Sequence, residues 1–155
     1  MAFLLFYLLV IPLSTLLHEI GHAIGFVIST KDGIAKVYLG TKDSSNKENF
    51  RIGRIYFHIR WHYVGYCVYT YEEICKYQRI TILIFGPLFS LLICFTLYIL
   101  VLMFNITLNY FLLGIFLYNL LQFIVTIIPI KYPSWWWGYG GMSSDGYKIL
   151  KCLKS

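Results

Sequence analysis

The chain has 155 residues, 59% of them hydrophobic, 19% aromatic and 13% charged, with a net charge of +6. Soluble domains average about 45–50% apolar and 25% charged residues, so the composition argues against a water-soluble globule and for one membrane domain of a few helices, each about 20 residues long. Basic residues flank apolar runs and form no stripe, which speaks for membrane topology and against a nucleic-acid surface.

The first apolar run, residues 2–28, is long enough to cross a bilayer as a helix. It has no basic leader and no small-residue cleavage site, so it is expected to remain in the mature protein. Towards its end lie His18, Glu19, Ile20, Gly21 and His22. Helical spacing of i, i+4 puts the two imidazoles on one face, within reach of a single metal ion. Glu19 is offset by about 100° around the axis, beside the pair. There a carboxylate can take a proton from a metal-bound water that attacks a carbonyl and pass it to the departing amine. A charged side chain inside a span costs about 2.5–3.5 kcal/mol on insertion scales. Three ionisable groups together therefore need a compensating partner, and a zinc ion held by neutral imidazole is one. Pro12 is expected to kink this helix and open a path for water.

A β region is expected over residues 34–71. Ile34 to Leu39 is β-prone, and Lys42 to Asn49 is a polar loop. From Arg54 to His62 the chain alternates: Ile55, Phe57, Ile59 and Trp61 point one way, Arg54, Tyr56, His58, Arg60 and His62 the other, as in a strand with one wet face. A second strand, Tyr66 to Tyr71, is expected after a turn near Gly65, making a hairpin or small sheet. His58 and His62 repeat the i, i+4 spacing, but in a strand this separates them by roughly 13 Å, too far to share a metal.

Two more spans are expected, at residues 80–104 and 110–130. No Lys or Arg precedes the first span, nine lie between Lys31 and Arg79, none joins the second and third spans, and four follow the third. That distribution puts the amino terminus outside and the long loop and the 131–155 segment in the cytoplasm. The four cysteines lack CxxC spacing and are read as free thiols. Trp135, Trp136 and Trp137, with Tyr139 and three glycines nearby, suit either an interfacial anchor or a lid.

A catalytic zinc takes three protein ligands and leaves a position for water. Besides Glu19 the acids are Asp32, Asp43, Glu48, Glu72, Glu73 and Asp145. Asp145 stands out in Ser143, Ser144, Asp145, Gly146, just before the amphipathic stretch Tyr147 to Leu153. It is equally well placed to cap that helix.

The HEIGH segment, the Phe85, Gly86, Pro87, Leu88 segment, and Thr126, Ile127, Ile128, Pro129 followed by Ser144, Asp145, Gly146 together resemble the site-2 protease family of intramembrane zinc metalloproteases. The resemblance covers nearly the whole chain as a three-helix core. It implies one zinc ion held by His18, His22 and Asp145, with Glu19 as general base. It also implies an extended substrate lying beside the strand that carries Arg54, Tyr56, His58 and Arg60. Ser90 and Thr126 stand where the family commonly has Asn, and Asn119 lies upstream as a substitute.

The sequence thus predicts a single domain over 1–155, an α-helical membrane protein with a small β element. The expected activity is zinc-dependent hydrolysis of a peptide bond in a membrane protein or peptide precursor, in the lipid bilayer of a bacterial cell membrane, with the active site opening to the cytoplasm. The competing reading is a non-proteolytic zinc-binding membrane protein, a scaffold or transporter.

Overall fold

A computed structural model describes residues 2–70, 73–107 and 109–154. Tyr71, the expected end of the last strand, and Glu72 lie outside them. In chain order the elements are helix α1 (Phe3–Ser29), strands β1 (Ile34–Leu39), β2 (Phe50–Ile52), β3 (Ile55–Ile59) and β4 (Gly65–Thr70), then helices α2 (Lys76–Met103), α3 (Tyr110–Ile127) and α4 (Asp145–Lys154). Helices α1, α2 and α3 are each long and apolar enough to cross a membrane.

Close approach of α1 and α2 is set by glycine. A Cβ on Gly21 would lie 2.5 Å from the Phe85 carbonyl oxygen, and one on Gly25 would lie 2.9 Å from Phe85 Cβ. This small-xxx-small pair lets two apolar helices touch backbone to backbone. Helix α3 is built inside out. Its one buried residue is the polar Asn119, whose Nδ2 donates to Ser14 Oγ at 3.1 Å, while Leu117, Leu121 and Ile124 are exposed. Such a surface suits hydrocarbon and not water.

Pro12 lies within α1, at the start of its regular α-helical part. A π-helical stretch, Phe6–Val10, directly precedes it within α1. Proline carries no N–H for the carbonyl four residues back, and the orphaned Leu8 carbonyl accepts the Trp61 indole N–H at 2.8 Å. The β region is thereby tied to the first half of α1.

Of the expected hairpin or small sheet, the structure shows a four-stranded sheet. Its strand order is β2-β3-β1-β4: β1 lies between β3, to which it runs parallel, and β4, to which it runs antiparallel. Gly65 is therefore the first residue of a strand and not a turn. The alternating Ala35 and Val37 of β1 and Phe57 of β3 pack with Ala23 and Phe26 of α1 and Ile82 of α2 to form the core. The sheet lies on the second half of α1, the half that carries the two histidines. Arg54 fastens it there: its guanidinium donates to the carbonyls of Val27 and Thr30, both at 2.6 Å, and of Asp32 at 2.9 Å. The Val27 carbonyl is among those a helix leaves unpaired at its C-terminal end, and Thr30 is the residue that caps α1.

Candidate metal centre

His18, Glu19 and His22 are buried at the contact of α1 with α2, and the two imidazoles stand edge to face with centroids 4.9 Å apart. Pro87 interrupts the ladder of α2, and in that turn the Ile82 carbonyl faces α1 and accepts from His22 Nδ1 at 2.7 Å. A carbonyl can only accept, so Nδ1 carries a proton and Nε2 is the nitrogen left to face a metal. Gly86 completes the fit: a Cβ there would run into the His22 ring. His18 Nδ1 is paired with Ser90 Oγ at 3.0 Å.

Asp145 arrives from the other end of the chain. Ser144, not Asp145, caps α4, since its Oγ accepts from Tyr147 N–H at 3.1 Å and donates to the Ile128 carbonyl at 2.7 Å. The aspartate carboxylate is thereby free to face the histidines. Its Oδ2 lies 3.4 Å from His18 Nε2 and 3.3 Å from His22 Nε2, and Lys148 Nζ donates to its Oδ1 at 3.1 Å. Gly146 is required for this approach, because a Cβ would overlap the Ile127 carbonyl. Burial alone would raise the Asp145 carboxyl, but His22, hydrogen bonds from both histidines and Lys148 together hold it well below the usual carboxylate range. It is an anion.

The three ligand atoms lie within 4.8 Å of one another. A tetrahedral ion with bonds of about 2.0–2.1 Å places its ligands about 3.3–3.4 Å apart, the separation of Asp145 Oδ2 from each imidazole. Two neutral nitrogens and one carboxylate, with outer hydrogen bonds from Ile82, Ser90 and Lys148, form a donor set that fits zinc.

A cavity of about 560 Å³ opens over these groups, lined by α1, β4, α3 and the segment between α3 and α4. Gly65 of β4 lies against Glu19, where a Cβ would come within 2.7 Å of Glu19 Cγ. Cys67 also lines the cavity, but burial and the nearby charges of Glu19 and Asp145 push its thiol well above the usual range, so it stays protonated. Of the polar side chains considered as stand-ins for the family's Asn, Ser90 is engaged by His18, Asn119 by Ser14 and the Ile115 carbonyl, and Thr126 by its own helix through the Gln122 carbonyl at 2.8 Å. Gln122, not singled out from sequence, lines the cavity with a buried Oε1 that has no partner among the described residues.

The structure places Arg54, Tyr56, His58 and Arg60, expected beside a substrate, away from the cavity. Strand β3 has β1 on one side and β2 on the other, so it offers no free edge, and none of the four residues lines the cavity. Arg54 caps α1, Tyr56 accepts from Arg51, His58 donates to the Asn46 carbonyl at 2.9 Å, and Arg60 donates to Ser45. Strand β4, at the end of the sheet, has one edge that pairs with no other strand, and Gly65, Cys67 and Tyr69 line the cavity together with His18, His22 and Asp145. Lys148 and Gln122 carry no signature in the sequence beyond being polar in or near apolar helices, whereas Ser90 is marked only by its place in the resemblance. Comparison of the chain with protein-family models, with curated proteins and with solved structures finds no match.

Proposed function

We propose that this protein is an intramembrane zinc metalloendopeptidase of the site-2 protease type, cutting a membrane-spanning or membrane-bound peptide. The observation that supports it most is the convergence of His18 Nε2, His22 Nε2 and Asp145 Oδ2, from helices at opposite ends of the chain, beside the buried Glu19. A bound zinc ion would lower the pKa of a coordinated water to about 7 and polarise a carbonyl. Glu19 then removes the proton from the attacking water and delivers it to the leaving amine. Gln122 lines the cavity, and its amide N–H group would donate to the oxygen on which negative charge develops. Lys148 and Ser90 orient Asp145 and His18. The β4 edge receives the substrate as an added strand, which satisfies the peptide's own backbone groups and exposes its amide bonds. With the charge pattern on the loops, the cleft faces the cytoplasmic side of a bacterial membrane.

The test uses the full-length protein purified in detergent with zinc restored, and candidate membrane peptides drawn from its genomic neighbours or co-expressed proteins. Wild type should cleave at least one, and Glu19→Gln should bind zinc equally well yet cleave none. Zinc binding without any cleavage by wild type would instead leave a metal-binding scaffold.

A further inference from the structure

Residues 131–144, between α3 and α4, form a strap with its own internal hydrogen bonds. Its two ends meet through Tyr132 N–H to Met142 O at 2.8 Å, Gly141 N–H to Tyr132 O at 3.0 Å and Ser144 N–H to Ile130 O at 3.0 Å. Tight turns at its tip add Trp136 N–H to Pro133 O at 2.9 Å and Tyr139 N–H to Trp136 O at 3.2 Å. Because its turns and the hydrogen bonds that close its ends do not involve the sheet, it can move as a unit without breaking a ladder.

Its hold on the sheet is made by two tyrosine hydroxyls. Tyr66 Oη donates to the Gly138 carbonyl at 2.9 Å. Tyr139 Oη accepts from Gly65 N–H at 2.9 Å and donates to Gly65 C=O at 3.3 Å. The strap comes so close that a Cβ on Gly138 would collide with Val64.

In an antiparallel ladder the N–H and C=O of one residue point to the same side, and alternate residues point to alternate sides. Gly65, and with it Cys67 and Tyr69, thus presents both groups on the edge away from β1. A strand added to that edge would meet Gly65 with a carbonyl for the N–H and an N–H for the carbonyl. Tyr139 Oη fills both positions with one atom, beside Glu19, against which Gly65 packs. Away from water such groups must be paired, so the edge at this point is occupied until something replaces the phenol.

We infer that Tyr139 is an internal stand-in for a substrate peptide group at Gly65, and that the 131–144 strap must lift its hydroxyl from β4 before an extended peptide can pair there. The inference rests on the protease reading, since it concerns how substrate reaches that site. Substrate entry and strap opening are then one exchange: the peptide takes over both hydrogen bonds that Tyr139 gives up. Aromatic neighbours on the strap, with Tyr132 and Tyr139 centroids 6.1 Å apart and Tyr132 and Trp136 5.1 Å apart, keep the phenol in place when no peptide is bound.

Two ligands separate the effects in the zinc-loaded, full-length protein. Acetohydroxamate reaches the metal alone, whereas a tripeptide hydroxamate reaches the metal and lays a backbone along the edge. Removing one hydrogen-bonding competitor changes an equilibrium by roughly three- to tenfold. Tyr139→Phe should therefore bind the tripeptide hydroxamate more tightly by that factor, with acetohydroxamate unchanged. Gly138→Ala, which pushes the strap away from Val64 by another route, should shift the two ligands in the same pattern. Unchanged or weaker tripeptide binding in both variants would overturn the inference and make the strap a fixed wall, as would equal tightening of both ligands. If wild type bound neither zinc nor acetohydroxamate, the metal-centre reading would fall, and the strap inference with it.

Discussion

His18 and His22 share their spacing with His58 and His62, yet the two pairs end in unrelated surroundings. On α1 the separation of four residues is about one turn, so the rings stand 4.9 Å apart with both Nε2 atoms facing Asp145. In the β region the same separation runs along an extended chain. His58, within β3, stacks on Tyr38 and donates to Asn46, whereas His62, beyond the end of β3, accepts from Val64 N–H and tilts against Trp137. Spacing becomes chemistry only through the secondary structure that carries it. Partners then decide the rest: the helical pair has a carboxylate, a carbonyl and a hydroxyl aimed at its four ring nitrogens, and the other pair has an architectural partner for each ring.

Substitutions can break or sharpen that contrast. The largest effect is expected from Glu19→Gln, which should cut hydrolysis of a cleaved peptide by about 10²–10⁴-fold, the usual contribution of general acid–base catalysis, with zinc content unchanged. Next, His22→Ala removes a ligand and should weaken zinc by more than the roughly 10–100-fold that outer hydrogen-bond partners are worth. His58→Ala, measured by the same metal titration, should leave zinc affinity as in wild type. Ser90→Ala falls between the two, leaving His18 as a ligand without its Nδ1 partner, and about a tenfold loss of zinc affinity is expected. The smallest functional effect belongs to Arg54→Ala. Loss of its bonds to the α1 carbonyls should reduce unfolding stability by about 1.5–3 kcal/mol while zinc affinity and cleavage by the folded protein stay constant. A fall in substrate affinity there would restore β3 as a substrate strand.

These contrasts also mark where sequence reasoning reached and where it stopped. The helix carrying His18, Glu19 and His22, the three apolar helices and the alternation through Phe57 were legible because each is a local pattern, complete within one element. The sheet order was not, since the parallel pairing of β1 with β3 and the placement of β4 on the far side of β1 depend on contacts distant in sequence. Pairing of neighbouring strands was the nearest local solution, and it left β1 out of the centre of the sheet. Asp145 was ambiguous for a physical reason: an aspartate at a helix start serves equally as cap or ligand, and only the position of Ser144 Oγ decides between them. Ser90, Gln122 and Tyr139 have their roles through single side-chain contacts across the bundle, which no periodicity encodes.

Metal analysis of the purified protein bears on the central claim most directly, with zinc stoichiometry and affinity compared between wild type and Asp145→Ala. One tightly held zinc per chain in wild type, and affinity lowered at least a hundredfold by the loss of the carboxylate that joins the two ends of the chain, is the expected result. No zinc in wild type, or zinc held equally well without Asp145, would contradict the assignment of His18, His22 and Asp145 as a metal centre.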